Sequence, residues 1–152
     1  ETGDLSGPAV ENAVRTALLQ LSSSSSHEVT FDIVETTIVP DDRDQIAGAL
    51  QRCGNEKRAQ LIFTTGGTGF SPRDVTPEAT LSVLDRECRG LLPWASQVLS
   101  EEQPMACLSR GVCGVLGTSL VVNLPGNPGG VRRLVELLMP LLLHAVLDLE
   151  ME

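Results

Sequence analysis

Two different periods of apolar residues follow one another along this chain, and together they predict a mixture of helices and strands. Between residues 6 and 21, apolar side chains recur every three or four positions, which is the spacing of one helical face. The serines of residues 22–26 indicate a flexible connector. From residue 29 to residue 39 the period changes to two, which predicts a strand. Pro40 and two aspartates end that strand and start a predicted helix that runs to about residue 53.

The middle of the chain contains a short apolar run, then a cluster of glycines, then a helical pattern. Residues 61–65 are predicted as a buried strand. Residues 79–88 are predicted as a helix, with Thr76 as its N-cap and Pro77 as its first residue. A further helix is predicted over residues 91–101.

The last third of the chain predicts two short strands and a long helix. The strands cover residues 112–116 and 119–124, on either side of Gly117. The helix covers residues 131–149, and Pro140 within it predicts a kink. Because strands alternate with helices along the whole chain, we expect an α/β fold, a three-layer α/β/α sandwich with a mostly parallel sheet.

Length, charge and cysteine content narrow the class of protein. The 152 residues suit a single domain over residues 1–152. The net charge is -9 and Lys57 is the only lysine, so neither nucleic acid nor an anionic membrane is an expected partner. No apolar run is long enough to span a membrane, and the first residues do not have the pattern of a signal peptide. Four cysteines without a CxxC pair predict ordinary thiols, and we expect a cytoplasmic location.

Polar loops follow three of the predicted strands at the point where each strand ends. Asp41 and Asp42 follow the first strand, residues 66–74 the second, and residues 123–130 the last. Ligands of open α/β sheets bind outside the carboxyl ends of the strands. The sequence therefore predicts a binding site at one rim of the sheet.

The residues at this rim each allow two interpretations. The glycines of residues 66–69 match neither a Walker A loop nor GxGxxG, so they form either a phosphate-binding turn or a tight turn that packs a helix on the sheet. Asp74 is either a ligand of Mg²⁺ beside a phosphate or a solvated carboxylate. Asp41 is a candidate helix cap, with Asp44 in an approximate capping box, and also a candidate metal ligand, since one oxygen can serve each role.

Two further segments carry weaker signals. Ser109 and Arg110 offer a hydroxyl and a guanidinium suited to phosphate, although a lone arginine in a loop is more often on the surface. Residues 123–127 could contact a planar heterocycle through amides and backbone, or form a plain turn.

One long motif identifies a family. It reads Thr65-Gly66-Gly67-Thr68-Gly69-Phe70-Ser71-Pro72-Arg73-Asp74-Val75-Thr76-Pro77-Glu78-Ala79 and closely resembles the signature of the molybdenum cofactor biosynthesis family, which includes MogA, MoaB and the G domains of gephyrin and its plant counterpart. Further blocks match in the same order and extend the resemblance over essentially the entire chain. They are Asp4-Leu5-Ser6-Gly7-Pro8, Val39-Pro40-Asp41, Leu108-Ser109-Arg110 and Asn123-Leu124-Pro125-Gly126-Asn127-Pro128.

The resemblance implies a molybdopterin adenylyltransferase, which transfers AMP from ATP to the phosphate of molybdopterin and releases pyrophosphate with the help of Mg²⁺. By position, Asp41 and Asp74 match the family's two essential acids, as catalytic residues and metal ligands. The implied assembly is a homotrimer, with a fused or partner molybdate-insertion domain. The implied substrate-binding residues are Asp4, Ser6, Gly7, Thr65, Gly66, Gly67, Thr68, Gly69, Ser109, Asn123, Pro125, Gly126 and Asn127.

Alternatives to catalysis stay open at this point. The first is a molybdopterin-binding trimerisation or scaffold domain with little or no transferase activity. The second is a MoaB-like member that binds the pterin and has weak or no transferase activity. Family members also begin with a strand that ends in a Ser-Asp pair ahead of the Asp-x-Ser-Gly-Pro block, and residues 1–3 contain no such strand. We therefore expect a domain that lacks the family's first strand.

Overall fold

The computed structural model describes residues 6–24 and 29–151. Within these ranges the chain alternates between helices and short strands, as its two apolar periods predict. In chain order the elements are α1 Ser6–Ser24, α2 Arg43–Asn55, β1 Leu61–Thr65, α3 Thr76–Leu81, β2 Arg86–Glu87, α4 Leu91–Ser100, a 3₁₀ turn Pro104–Leu108, β3 Cys113–Leu116, β4 Ser119–Leu124 and α5 Pro128–Glu150.

The sheet of the described residues has four strands in the order β1-β4-β3-β2. Only β1 and β4 are parallel, whereas β4 with β3 and β3 with β2 are antiparallel. The prediction of a mostly parallel sheet is therefore wrong, and the sheet is mixed. Only Gly117 and Thr118 separate β3 from β4, and Gly117 has a φ of 60°. A turn this short can join only antiparallel neighbours, since a parallel pair needs a crossover of a dozen or more residues.

The three-layer α/β/α sandwich is confirmed by the two hydrophobic cores, one on each face of the sheet. All six residues of β4 are buried, and successive residues point to opposite faces. Leu120, Val122 and Leu124 join the core that includes residues of α1, α4 and α5. Val121 joins the second core with Ile62 of β1, beneath α2 and α3.

The two long helices of the first core form as the apolar spacing predicts. Ala13, Val14 and other residues of the predicted α1 face are buried, and α1 packs against α5. The first serines of the predicted connector continue α1 to Ser24, and residues 25–28 lie outside the described residues. Pro140 lies inside α5, which is helical on both sides of it, and a kink there stays a prediction. No helix in the described ranges has both the length and the hydropathy needed to cross a lipid bilayer.

The strand predicted for residues 29–39 does not form. Val29 and Phe31 pack on the first core, but Ile33 and Ile38 are exposed. A strand exists only when its backbone pairs with a neighbour, and among the described residues β1 pairs on one side only, with β4. An alternating pattern indicates a half-buried extended segment and does not supply that neighbour.

The helix predicted for residues 79–88 is also wrong, because α3 ends at Leu81 and the chain turns into the edge strand β2. Backbone pairing with β3 favours this path: the Asp85 N–H donates to the Val115 carbonyl and the Cys88 N–H to the Cys113 carbonyl, each at 2.8 Å. A Cβ on Gly114 would lie 2.4 Å from the Arg86 carbonyl oxygen, so the strands approach closely only because that residue is glycine. Pairing across the sheet outweighs the local helical spacing.

Candidate functional site

The loops after β1 and β4 meet at one rim because these two strands are parallel neighbours. The Gly66 N–H donates to the Leu124 carbonyl at 3.1 Å, and the Thr65 hydroxyl donates to the Pro125 carbonyl at 2.9 Å. A Cβ on Gly126 would lie 3.3 Å from the Cα of Gly66. The predicted convergence of these two loops is confirmed.

A third loop reaches the same rim from the opposite direction. Since β3 is antiparallel to β4, its amino end lies beside the carboxyl end of β4. The Arg110 N–H just ahead of β3 donates to the Thr68 carbonyl at 2.8 Å. The Ser109 hydroxyl donates to the Thr68 hydroxyl at 3.4 Å. Three loops that are distant in sequence thus surround the glycine cluster.

The glycine cluster is folded so tightly that side chains do not fit at two of its positions. Gly67 has a φ of 67°, and a Cβ there would lie 2.3 Å from the Thr76 hydroxyl oxygen. A Cβ on Gly69 would lie 2.8 Å from Oδ2 of Asp74. Thr76 is not the predicted N-cap of α3, since Val75 holds that position without a side-chain hydrogen bond. The Thr76 N–H donates instead to the Gly67 carbonyl, which closes the loop.

Asp74 has a structural contact that the sequence did not predict. Its Oδ2 accepts from the Ser71 N–H at 3.0 Å, and its own N–H donates to the Ser71 carbonyl at 2.9 Å. These two bonds close a turn over residues 71–74. Among the described residues no hydrogen bond to Oδ1 of Asp74 is seen, so one carboxylate oxygen remains for a ligand.

The sequence suggested that Asp41 caps α2, but the structure shows that it does not. The neighbouring Asp42 is the N-cap, and its Oδ1 accepts from the Gln45 N–H at 2.9 Å. Oδ2 of Asp41 instead lies 3.1 Å from Nη2 of Arg73. This ion pair joins the start of α2 to the loop that carries Asp74.

Arg110 supports residues 66–74, called here the glycine loop, through hydrogen bonds to its backbone. Its Nε donates to the Gly69 carbonyl and its Nη2 to the Asp74 carbonyl, both at 2.8 Å. Its Nη1 pairs with Glu78, and this hydrogen bond is the main reason that the pKa of Glu78 lies below its ordinary value. Three nitrogens of Arg110 thus bind the loop and α3, and the suggested contact of Arg110 with phosphate stays a prediction.

The asparagines at this rim are both hydrogen-bonded within the protein. Asn123 is buried, its Nδ2 donates to the hydroxyls of Thr64 and Thr80 at 2.9 Å, and its Oδ1 accepts from the Val112 N–H. Asn127 caps α5 by accepting from the Gly129 N–H at 2.9 Å. A role for these two amides in substrate binding stays a prediction, and the observed contacts are structural.

A cleft of about 900 Å³ lies against these loops. Thr65, Ser6, Gly7 and Asp41 do not line it, and Asp4 lies outside the described residues. A more open depression of about 590 Å³, between residues 37–40 and α2, contains none of the predicted site residues. The predicted residues that do line the cleft are Gly66, Gly67, Thr68, Gly69, Asp74, Ser109, Asn123, Pro125, Gly126 and Asn127.

The opposite wall of the cleft was not predicted. It consists of α4, the 3₁₀ turn and the first turns of α5, and it is largely apolar. Two charged residues at its edge, Glu102 and Arg133, form an ion pair of 2.9 Å. The sequence did contain a signal for this wall. The segment of α4 has more apolar residues than one buried helical face requires. The apolar lining residues are Leu92, Pro93, Leu99, Met105, Ala106, Leu108 and Leu134.

The donor groups of the rim suit a hard cation that is shared with a ligand. Carboxylate oxygens are the protein ligands that Mg²⁺ prefers, usually one or two of them together with phosphate oxygens and water. Within the described ranges no group of three or more His, Cys, Asp or Glu side chains could enclose a metal ion. Asp74, with the tight glycine turn beside it, therefore fits a metal that a phosphate brings with it.

Comparisons with known proteins show the family of this chain. Residues 8–144 match the model of the family described as "Probable molybdopterin binding domain". The chain is 43% identical over 109 residues to the molybdenum cofactor synthesis protein cinnamon of Drosophila melanogaster, covering 72% of this chain and 18% of that protein. It is 42% identical over 103 residues to the molybdopterin adenylyltransferase of Haemophilus influenzae, covering 68% of this chain and 52% of that protein.

A solved structure shares the fold over nearly the whole chain. The molybdopterin biosynthesis Mog protein from Mycobacterium ulcerans aligns with a TM-score of 0.83 and 36% identity, covering 99% of this chain and 90% of that one. The MoaB enzyme from Thermus thermophilus aligns with a TM-score of 0.79 and 38% identity, covering 95% and 86%. The MogA/MoaB-like sandwich expected from the sequence is thus confirmed.

Proposed function

We propose that this chain, which belongs to the molybdopterin-binding domain family, transfers AMP from ATP to the terminal phosphate of molybdopterin and releases pyrophosphate. The observation that carries the proposal is that Asp74 and the tight glycine loop lie in one cleft with an apolar wall. The Haemophilus influenzae relative, named a molybdopterin adenylyltransferase, supports the same reaction.

The glycine loop is suited to hold phosphate groups. Its glycines bring backbone amides to a surface that no Cβ covers, and such amides bind anions at strand-to-helix turns. The backbone of the loop is held in place by hydrogen bonds. The Arg110 side chain binds the carbonyls of Gly69 and Asp74, and the Thr76 N–H binds that of Gly67. A rigid set of donors stabilises developing charge without rearranging during the reaction.

In the proposed reaction an oxygen of the molybdopterin phosphate attacks the α-phosphorus of ATP, and the bond to the pyrophosphate oxygen breaks. Asp74 would hold Mg²⁺, with Asp41 as the second acid, and the metal would neutralise phosphate charge. Little covalent help from the protein is needed, since alignment of the two phosphates supplies much of the rate. The metal and the amides also explain how a chain of net charge -9 binds anions.

The apolar wall provides the surface for a flat ring. Leu92, Met105 and Leu134 face the polar loops across the cleft, and ligand pockets combine such apolar walls with a few polar groups. The cleft of about 900 Å³ has the size of pockets that hold a large ligand. We propose that Ser109 and residues 125–127 orient the ligand at the polar edge.

The test is a reaction of the chain with ATP, Mg²⁺ and molybdopterin, followed by measurement of pyrophosphate and of adenylylated molybdopterin. The proposal expects both products in equal amounts. Asp74→Asn should abolish their formation and leave molybdopterin binding largely intact. Turnover of this variant at a rate near that of the unchanged chain would show that Asp74 does not have the proposed role.

One observation favours a second candidate, a domain that binds molybdopterin without transferring AMP. Asp41, the second proposed acid, pairs with Arg73 and does not line the cleft. Binding of molybdopterin without release of pyrophosphate would support this candidate over the transferase.

Assembly and context are further parts of the proposal. We propose a homotrimer in the cytoplasm, with the acidic surface excluding nucleic acid as a partner. The chain spans 18% of the Drosophila melanogaster relative and 52% of the Haemophilus influenzae relative, which supports a fused or partner domain that inserts molybdate. Light scattering of the purified chain would give the oligomer number directly.

A further inference from the structure

The ion pair between Arg73 and Asp41 has no evident stabilising purpose. Its two charged atoms lie 3.1 Å apart, and the side chains are 81% and 44% exposed. Exposed pairs of this kind contribute little to stability, and ordering a long arginine side chain costs entropy. A pair held this weakly exchanges partners readily when a more strongly charged ligand arrives.

The backbone of Arg73, in contrast, is fixed in the turn that carries Asp74. Its N–H donates to the Ser71 hydroxyl at 3.3 Å, and the next residue closes the turn through two bonds to Ser71. The guanidinium can therefore change partner while Asp74 stays in place.

The arginine that binds the glycine loop and the arginine that lines the cleft are both already engaged. Arg110 binds the glycine loop and Glu78. Arg133, the single basic residue of the cleft lining, pairs with Glu102 and Glu136. Within the described residues, Arg73 next to Asp74 therefore has one ion pair, and that pair is exposed to solvent.

We propose that Arg73 is a positioning residue for the triphosphate, which neutralises Asp41 in the free protein and moves to the phosphate oxygens when the metal-bound nucleotide binds. This inference rests on the proposed function. A guanidinium suits phosphate oxygens because it can donate two parallel hydrogen bonds. Its departure leaves both oxygens of Asp41 available to the cation.

The inference predicts opposite effects on two ligands. In the free protein the guanidinium repels a divalent cation and occupies Oδ2 of Asp41, so its removal strengthens binding of the cation alone. With the nucleotide present it attracts phosphate, so its removal weakens binding of the nucleotide. A residue that only maintains the fold would change both affinities in the same direction or neither.

The test compares Arg73→Gln with Arg89→Gln. Arg89 is a matched control: it is 85% exposed, and its ion pair with Glu87 also measures 3.1 Å. Neither arginine lines the cleft itself, but Asp74 next to Arg73 does, whereas neither sequence neighbour of Arg89 does. Electron paramagnetic resonance measures binding of Mn²⁺ to the protein without nucleotide, and calorimetry measures binding of ATP with Mg²⁺. We expect Arg73→Gln to bind Mn²⁺ about threefold more tightly and ATP about tenfold more weakly, and Arg89→Gln to change neither.

The outcomes separate this inference from the proposed function. Parallel changes in both affinities, or no change in either, would overturn the role of Arg73. Opposite changes would support it even if the unchanged chain transferred no AMP, in which case only the proposed reaction would be wrong. Failure of the unchanged chain to bind ATP with Mg²⁺ would overturn both. Arg73→Lys should recover part of the ATP affinity, since it restores the charge without the paired donors.

Discussion

Gly67→Ala tests whether the glycine loop is as tightly constrained as its geometry indicates. The residue has a φ of 67°, and the left-handed region costs a residue with a Cβ about 1–2 kcal/mol. The new Cβ would also lie 2.3 Å from the Thr76 hydroxyl oxygen. Overpacking of this kind typically costs a further 1–3 kcal/mol, roughly. The variant should therefore lose about 2–5 kcal/mol, a large part of the stability of a domain.

Urea unfolding followed by circular dichroism measures this loss, and Gly48→Ala is its control. Gly48 lies in α2 with nothing within 4 Å of its Cβ position, so alanine there should stabilise the protein by about 0.5–1 kcal/mol. The double variant Gly67→Ala, Thr76→Ala removes the hydroxyl and should recover at least about 1 kcal/mol relative to the sum of the single changes. If Gly67→Ala were as stable as the unchanged chain, the loop would not be as tight as its geometry indicates. The argument that glycine is needed there to present backbone amides to a phosphate would then fail as well.

Other consequences concern buried polar and thiol groups. Asn123→Leu should lose about 2–4 kcal/mol in the same unfolding assay, because it removes three hydrogen bonds and leaves buried partners unpaired; a loss below about 0.5 kcal/mol would contradict this. The hydrogen bond from Arg110 lowers the pKa of Glu78 below 4.5, so its contribution to stability is present above about pH 4.5 and disappears as pH falls through the lowered value. Glu78→Gln should therefore have a flatter acid-unfolding curve, and identical curves would refute the coupling. Burial raises the pKa of Cys113 to about 12, so at about pH 8 a thiol reagent should label exposed Cys107 in the folded protein and Cys113 only after unfolding.

Much of the fold was predictable because it depends on local apolar spacing. The helical face that begins at Val10 and the strand at residues 61–65 each form where the pattern predicts them. The sheet order and direction did not follow from the pattern. The short connection around Gly117 was the available signal for an antiparallel pair, and it was outweighed by the general alternation of strands and helices.

The two wrong elements have a common cause. Residues 29–39 alternate like a strand but pair with no neighbour among the described residues. Residues 82–88 have helical spacing, but Arg86 and Glu87 among them pair with β3. In each case a partner distant in sequence decides the structure. Local propensity cannot contain that information.

The polar loops of the candidate site were predictable because one long motif contains most of their residues. The meeting of the loops after β1 and β4 followed from the parallel direction of these two strands. The cap of α2 was assigned to the wrong aspartate, since Asp41 and Asp42 fit the capping rule equally and only the register of the helix distinguishes them. The ion pair of Asp41 with Arg73 joins residues 32 positions apart, which no local rule predicts. The apolar wall was not predicted because the apolar residues of α4 were attributed to packing in the core.

The most direct test of the account is a crystal structure of the chain with Mg²⁺ and a non-hydrolysable ATP analogue. The account predicts phosphate oxygens within hydrogen-bond distance of the amides of residues 67–69, with the metal bound to Asp74. Phosphates bound elsewhere, for example in the depression between residues 37–40 and α2, with the glycine loop empty, would contradict it.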